Sequence, residues 1–242
     1  MGAISSGASD KIHVIAVDYR GFGYSTGSPT EGGIVVDAVA LVDWALTVAK
    51  IPPNRILLLG QSLGTAVATA AAEHFSMTTP QIDFAGLILV AGFSDIPTLL
   101  LTYSIVGFFP LLSPLRPYPT VQKWFAGRMV DKWNTADRLA NYVRASERVK
   151  LFLIHSKNDH EISWTHSDAL FYSAANATSQ QGMTVKQINS MKAKFDLGEA
   201  GLVNTWRTPG KTIRQEIIGY GAHNRIVTYA PVALAVFRAF GI

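Results

Sequence analysis

The sequence predicts an α/β fold, a doubly wound and mostly parallel sheet with helices on both sides. Four of five short strand-like runs are apolar almost throughout rather than at alternate positions, as in strands buried on both faces. These runs alternate with segments whose apolar residues recur at a helical period. The chain has 242 residues, 48% hydrophobic and only 16% charged, which is enough for one large core and leaves nothing that reads as a disordered linker. A single domain over residues 1–242 is expected.

The first predicted strand is His13 to Val17, ended by the glycine-rich turn Asp18-Tyr19-Arg20-Gly21-Phe22-Gly23. Ser28-Pro29-Thr30-Glu31 then has the capping-box pattern with proline at the first helical position. It opens a helix whose face is Val35, Ala38, Leu41, Val42, Ala45 and Val48 or Ala49. Pro52-Pro53-Asn54 stops that helix, and Arg55 to Leu59 is the second strand. Ser62 to about Phe75 is a helix and Phe84 to Val90 a third strand, while Leu151 to His155 is the fourth. Trp164 to Ala175 is a helix, Thr212 to Ile218 the fifth strand, and Ile226 to Phe240 the closing helix. In a sheet of this kind ligands bind beyond the carboxyl ends of the strands, so the turns after Val17, Leu59, Val90, His155 and Ile218 should hold the chemistry.

Two segments interrupt the alternation and read as insertions, one over about 94–150 and one over about 179–211. The first contains Ile96 to Leu112, 17 residues without a charge, bracketed by Pro97 and Pro110. That is a little short for a membrane-spanning helix. It reads as a cap packed on the sheet, or as a lid whose apolar face lines a lipid pocket or touches a membrane peripherally. The second insertion reads as a polar surface excursion.

The net charge of +4 is spread over 21 basic residues, no two of them adjacent, so a nucleic-acid groove is not expected. The absence of cysteine excludes disulfides, thiolate metal sites and a cysteine nucleophile. Met1 to Ser6 has neither the basic nor the apolar region of a secretory signal, so none is expected from it. Gly2 with Ser6 fits a permissive myristoylation pattern, and Asn176-Ala177-Thr178 is a glycosylation sequon that matters only in a secretory lumen. No cofactor is expected, because Gly21-Phe22-Gly23 does not lead directly into a helix as a dinucleotide fingerprint would. His155, Asp159, His160 and His166 have metal-ligating side chains, but an end-of-strand turn and polar surroundings account for them more simply.

Gly60-Gln61-Ser62-Leu63-Gly64 lies between the apolar run Ile56 to Leu59 and the alanine-rich stretch Thr65 to Ala72. A serine on so sharp a strand-to-helix turn sits in strained backbone with its hydroxyl lifted clear of the sheet, and flanking glycines keep strand and helix from colliding. A serine hydroxyl needs a base to take its proton, and the base needs a carboxylate to fix its tautomer. His223, in the turn after the fifth strand, is the candidate base. Asp159, in the turn after the fourth, is the candidate acid, with Glu161 and Asp95 as alternatives. The order Ser, Asp, His is that of a strand-turn-helix serine nucleophile of this type.

Four blocks now carry a resemblance: Asp18 to Ser25, Gly60 to Gly64, His155 to Asp159, and Gly221-Ala222-His223-Asn224. Together they resemble the α/β-hydrolase superfamily, and within it the membrane-associated monoacylglycerol and lysophospholipid lipases of the α/β-hydrolase domain-containing protein 12 type. The resemblance implies Ser62 as nucleophile, Asp159 as acid, His223 as base and the Leu63 backbone N–H as one oxyanion donor. It implies a lipid-like acyl ester as the small-molecule substrate, and an endoplasmic reticulum or other membrane setting. Several strands and a His-Gly loop with the second oxyanion donor precede the Asp-Tyr-Arg-Gly block in that branch. Only 12 residues stand before the first predicted strand here, so that upstream part is expected to be missing. A non-catalytic binding module and a serine peptidase on the same fold are the competing expectations.

Overall fold

The computed structural model describes residues 11–102, 104–105, 109–110 and 127–242. Its elements are α1 (Glu31–Thr47), β1 (Leu57–Gln61), α2 (Leu63–Ser76), β2 (Gly86–Val90), α3 (Ile96–Thr102), β3 (Ser104–Ile105), β4 (Phe109–Pro110) and α4 (Thr135–Ala145). They continue as β5 (Val149–Ser156), α5 (Thr165–Asn176), α6 (Val185–Met191), β6 (Ala193–Asp196), β7 (Gly201–Thr208), β8 (Lys211–Ile218), α7 (Ala222–Arg225) and α8 (Ala230–Phe240). The main sheet runs β1-β2-β5-β8-β7-β6. The β1, β2, β5 and β8 strands are parallel, and β7 and β6 add an antiparallel hairpin.

Alternation along the central strands divides the core into two layers. Leu87, Leu89, Leu151 and Leu153 pack with Leu139, Tyr142, Leu170 and Phe171 of α4 and α5. Ile88, Val90, Phe152 and Ile154 point the other way, onto Ile226 and onto Val232 and Val236 of α8. Between α1 and α2 a third cluster joins Ile34, Val67, Phe93, Trp133 and Ile162 beneath the carboxyl end of the sheet. The expected doubly wound fold is present.

Four local readings change. His13 to Val17 is not a strand, and Val14, Ile15 and Val17 are 57%, 47% and 45% exposed. An apolar run becomes a strand only where a neighbour completes its ladder, and among the described residues none does so here. The helix cap is Thr30, not Ser28: its hydroxyl accepts the Gly33 N–H, and the helix starts at Glu31. Val48, placed on the buried face, is 65% exposed, whereas Ile34 is buried. The lysine-rich stretch 179–211 carries a capped helix and two strands, with Ile188, Val203 and Trp206 buried.

Of the uncharged run, Ile96–Thr102 is helical and Ser104–Ile105 pairs with Phe109–Pro110. The lid and membrane-contact readings for 96–112 otherwise fall outside the described residues, as does Gly2. Asn176 is exposed at the end of α5, and its Oδ1 accepts the Met183 N–H. No helix among the described residues is long and apolar enough to cross a membrane.

Candidate active site

The site is built from the ends of β1, β5 and β8. Ser62 follows β1 with φ 53° and ψ −124°, outside the comfortable regions for a side-chain-bearing residue. Its N–H donates to Val90 O at 3.0 Å, and its carbonyl accepts from both the N–H and the hydroxyl of Thr65. The strained residue is thus tied on both sides. A Cβ on Gly60 would run into the Gly64 carbonyl, so Gly60 is required for helix and strand to meet this closely. Gly64 is different: a Cβ there would meet only the Tyr19 hydroxyl, at 3.9 Å, so collision does not explain that glycine. Leu63 is the first helical residue, and an N–H at that position has no partner inside the helix. The positive end of the α2 dipole adds to it, giving a place where negative charge is favoured.

Asp159 and His223 meet directly, with His223 Nδ1 2.8 Å from Asp159 Oδ2. Both are buried, at 8% and 6% exposure. The other carboxylate oxygen, Oδ1, accepts the backbone N–H groups of Glu161 at 3.0 Å and Ile162 at 2.9 Å. Burial alone would push the Asp159 carboxyl up; hydrogen bonding from His155, His223 and Ile162 outweighs that and holds it well below the usual carboxylate range. For His223 burial opposes the charged ring, yet Asp159, with a smaller pull from Glu161, raises its proton affinity above the ordinary imidazole value. Since an ionised Asp159 can only accept, Nδ1 of His223 carries the proton and Nε2 presents its lone pair.

The alternatives for the acid do not reach the ring. Asp95 is engaged with the Thr98 N–H and the Ser94 hydroxyl. Glu161 acts on His223 only through its charge. Ser62 makes no hydrogen bond to His223 among the described residues; the two segments are joined one residue earlier, where the Gln61 side-chain amide donates to the His223 carbonyl at 3.0 Å. Asn158 Oδ1 accepts the Ala222 N–H at 2.9 Å and so fastens the acid loop to the histidine loop. Sequence reading missed both bridges, because an amide reaching 162 positions along the chain has no local signature.

The candidate metal cluster does not form among the described residues. His155 Nε2 is turned to the Ile162 carbonyl, His160 is exposed, and His166 Nδ1 accepts the Ser94 N–H at 3.3 Å. Burial pushes His166 down to about 4, helped by the nearby His155 ring and opposed by Asp95. Chemically the arrangement offers a hydroxyl on a strained turn, an imidazole with a free lone pair, a carboxylate held ionised, and a helix-start N–H suited to a negative charge.

Comparison with known proteins bears on the family of the chain. The chain is 32% identical to human ABHD12B over 171 residues, 69% of this chain and 42% of that protein. It is 26% identical to the uncharacterised protein YfhR of Escherichia coli strain K12 over 163 residues, 66% of this chain and 47% of that protein. Over 84 residues, 35% of this chain and 21% of the relative, it is 40% identical to the lysophosphatidylserine lipase ABHD12 of Xenopus tropicalis. The chain therefore spans less than half the length of these relatives. A family model described as the alpha/beta hydrolase family matches residues 3–187, which takes in Ser62 and Asp159 and stops before His223. By that match and by its sheet, the chain belongs to the alpha/beta hydrolase family.

Proposed function

We propose that the chain is a serine ester hydrolase acting on lipid-like acyl esters through Ser62, His223 and Asp159. The observation that carries this is the 2.8 Å contact of His223 Nδ1 with Asp159 Oδ2, beside a serine held at φ 53° at a helix start. In this reading His223 Nε2 takes the Ser62 proton as Oγ bonds to the acyl carbon. The Leu63 N–H faces the developing oxyanion. Collapse of the tetrahedral adduct breaks the ester bond, and His223 passes the proton to the departing alcohol oxygen. Water then repeats the sequence on the acyl-enzyme, with His223 as base, and releases the carboxylic acid.

The lipid part of the proposal draws on two supports. A relative at 40% identity is named a lysophosphatidylserine lipase, and the uncharged run Ile96 to Leu112 is suited to an acyl chain. A fluorophosphonate probe tests the chemistry: wild-type protein should be labelled and Ser62→Ala should not. Absence of label on the wild type would overturn the hydrolase reading in favour of a binding module. For substrate class, long-chain monoacyl esters should be cleaved faster than acetyl esters, and the reverse preference would remove the lipid assignment.

A further inference from the structure

His155 is the penultimate residue of β5 and has no exposed surface; it lies four residues before Asp159, and the proposed chemistry gives it no role. Its Nε2 lies 3.0 Å from the Ile162 carbonyl oxygen and 3.3 Å from Asp159 Oδ2. A carbonyl can only accept, so Nε2 carries the hydrogen. Nδ1 then holds the lone pair; it is buried without a hydrogen-bond partner among the described residues. This N–H edge therefore spans the two ends of the loop 159–162. One end is the carboxylate that faces His223, and the other is the carbonyl of the residue whose N–H holds the opposite carboxylate oxygen.

We infer that His155 is a positioning residue for the Asp159–His223 pair, closing the acid loop so that Oδ2 stays aimed at His223 Nδ1. The inference rests on the proposed triad. Without this N–H the Ile162 carbonyl would be left buried and unpaired, and the loop would relax to find it a partner. The carboxylate would move with the loop, weakening its hold on the base. Among the described residues the titratable groups near His155 are Asp159 on the loop and His166 from α5, while Glu161 acts on His223 and Asp95 on His166.

The test needs two substitutions and one spectrum. Nitrogen NMR of wild-type protein should show His155 with its proton on Nε2; a proton on Nδ1 would overturn the inference. His155→Leu should lower kcat on a chromogenic acyl ester by about 10- to 100-fold at constant KM, as expected for a slightly misplaced catalytic group. The titration midpoint of His223, followed by NMR and so independent of turnover, should fall toward the ordinary imidazole value. His155→Gln, whose side-chain N–H can replace Nε2–H, should recover most of both. An unmoved or raised His223 midpoint in His155→Leu, or equal losses in the Leu and Gln variants, would overturn the inference. Ser62→Ala in the same assay separates the two levels. Persisting turnover there strikes the triad itself, whereas loss there beside wild-type behaviour of His155→Leu strikes only His155.

Discussion

Asp159 is the residue on which most of the site's electrostatics converge, because two backbone N–H groups and the His223 ring all donate to it and the His155 edge faces it. Replacing it with Asn keeps the shape but removes the charge that selects the His223 tautomer. Turnover should fall by about 10⁴-fold while the unfolding transition of Asp159→Asn persists, read by ester hydrolysis and circular dichroism. His223 must be neutral to act as a base and its proton affinity is raised, so the acid limb of kcat/KM should lie above the ordinary imidazole value. His166 controls a different pH window. An unfolded imidazole binds a proton below about 6.5, but the folded one refuses it until about 4, so stability falls as pH drops through that window. The loss is on the order of 3 kcal/mol in full. His223, with its raised affinity, contributes a constant amount there, and Asp159 begins to matter only at lower pH. Urea midpoints at pH 7 and pH 4.5 should therefore differ in the wild type and converge in His166→Asn.

At the level of elements, the turn after β1 shows how much one glycine decides. Gly60→Ala drives a methyl into the Gly64 carbonyl and should cost about 1–3 kcal/mol, while Gly64→Ala, with open space beside it, should leave the denaturation midpoint nearly unchanged. The central strands and their helices were legible in the sequence because Leu87 to Val90 and Leu151 to Ile154 are buried on both faces and have no other way to satisfy their composition. Ser62, Asp159 and His223 were legible for a related reason, since each sits where a buried strand ends and a turn must follow. His13 to Val17 misled because composition does not reveal whether a neighbouring strand is there to pair with. The β6–β7 hairpin was hidden by its outer strand, in which Lys194 and Asp196 alternate with exposed Ala193 and Phe195. Its inner strand is anchored by Trp206, whose indole N–H donates to Thr178 at 3.0 Å. Trp206→Ala should destabilise the whole domain by about 3–5 kcal/mol in one cooperative transition; a separate early transition would instead make the hairpin an independent appendage.

For the molecule as a whole, the site lies where residues distant in sequence come together at the ends of the parallel strands. Asp159 and His223 are 64 positions apart, and the turns that carry them and Ser62 follow strands that stand in one sheet, β1, β2, β5 and β8 side by side. Exposed Val14, Ile15 and Val17 lie outside this sheet and place apolar surface in solvent near Ile12, which packs on the α8 layer. The Gln61 amide that closes on the His223 carbonyl bridges 162 residues. Closing so long a loop costs entropy that is offset once the strands between are already paired, so this contact is expected to form late. Stopped-flow refolding should accordingly recover helical ellipticity first and fluorophosphonate reactivity last, so that reactivity reports completed folding of the chain from β1 to α8.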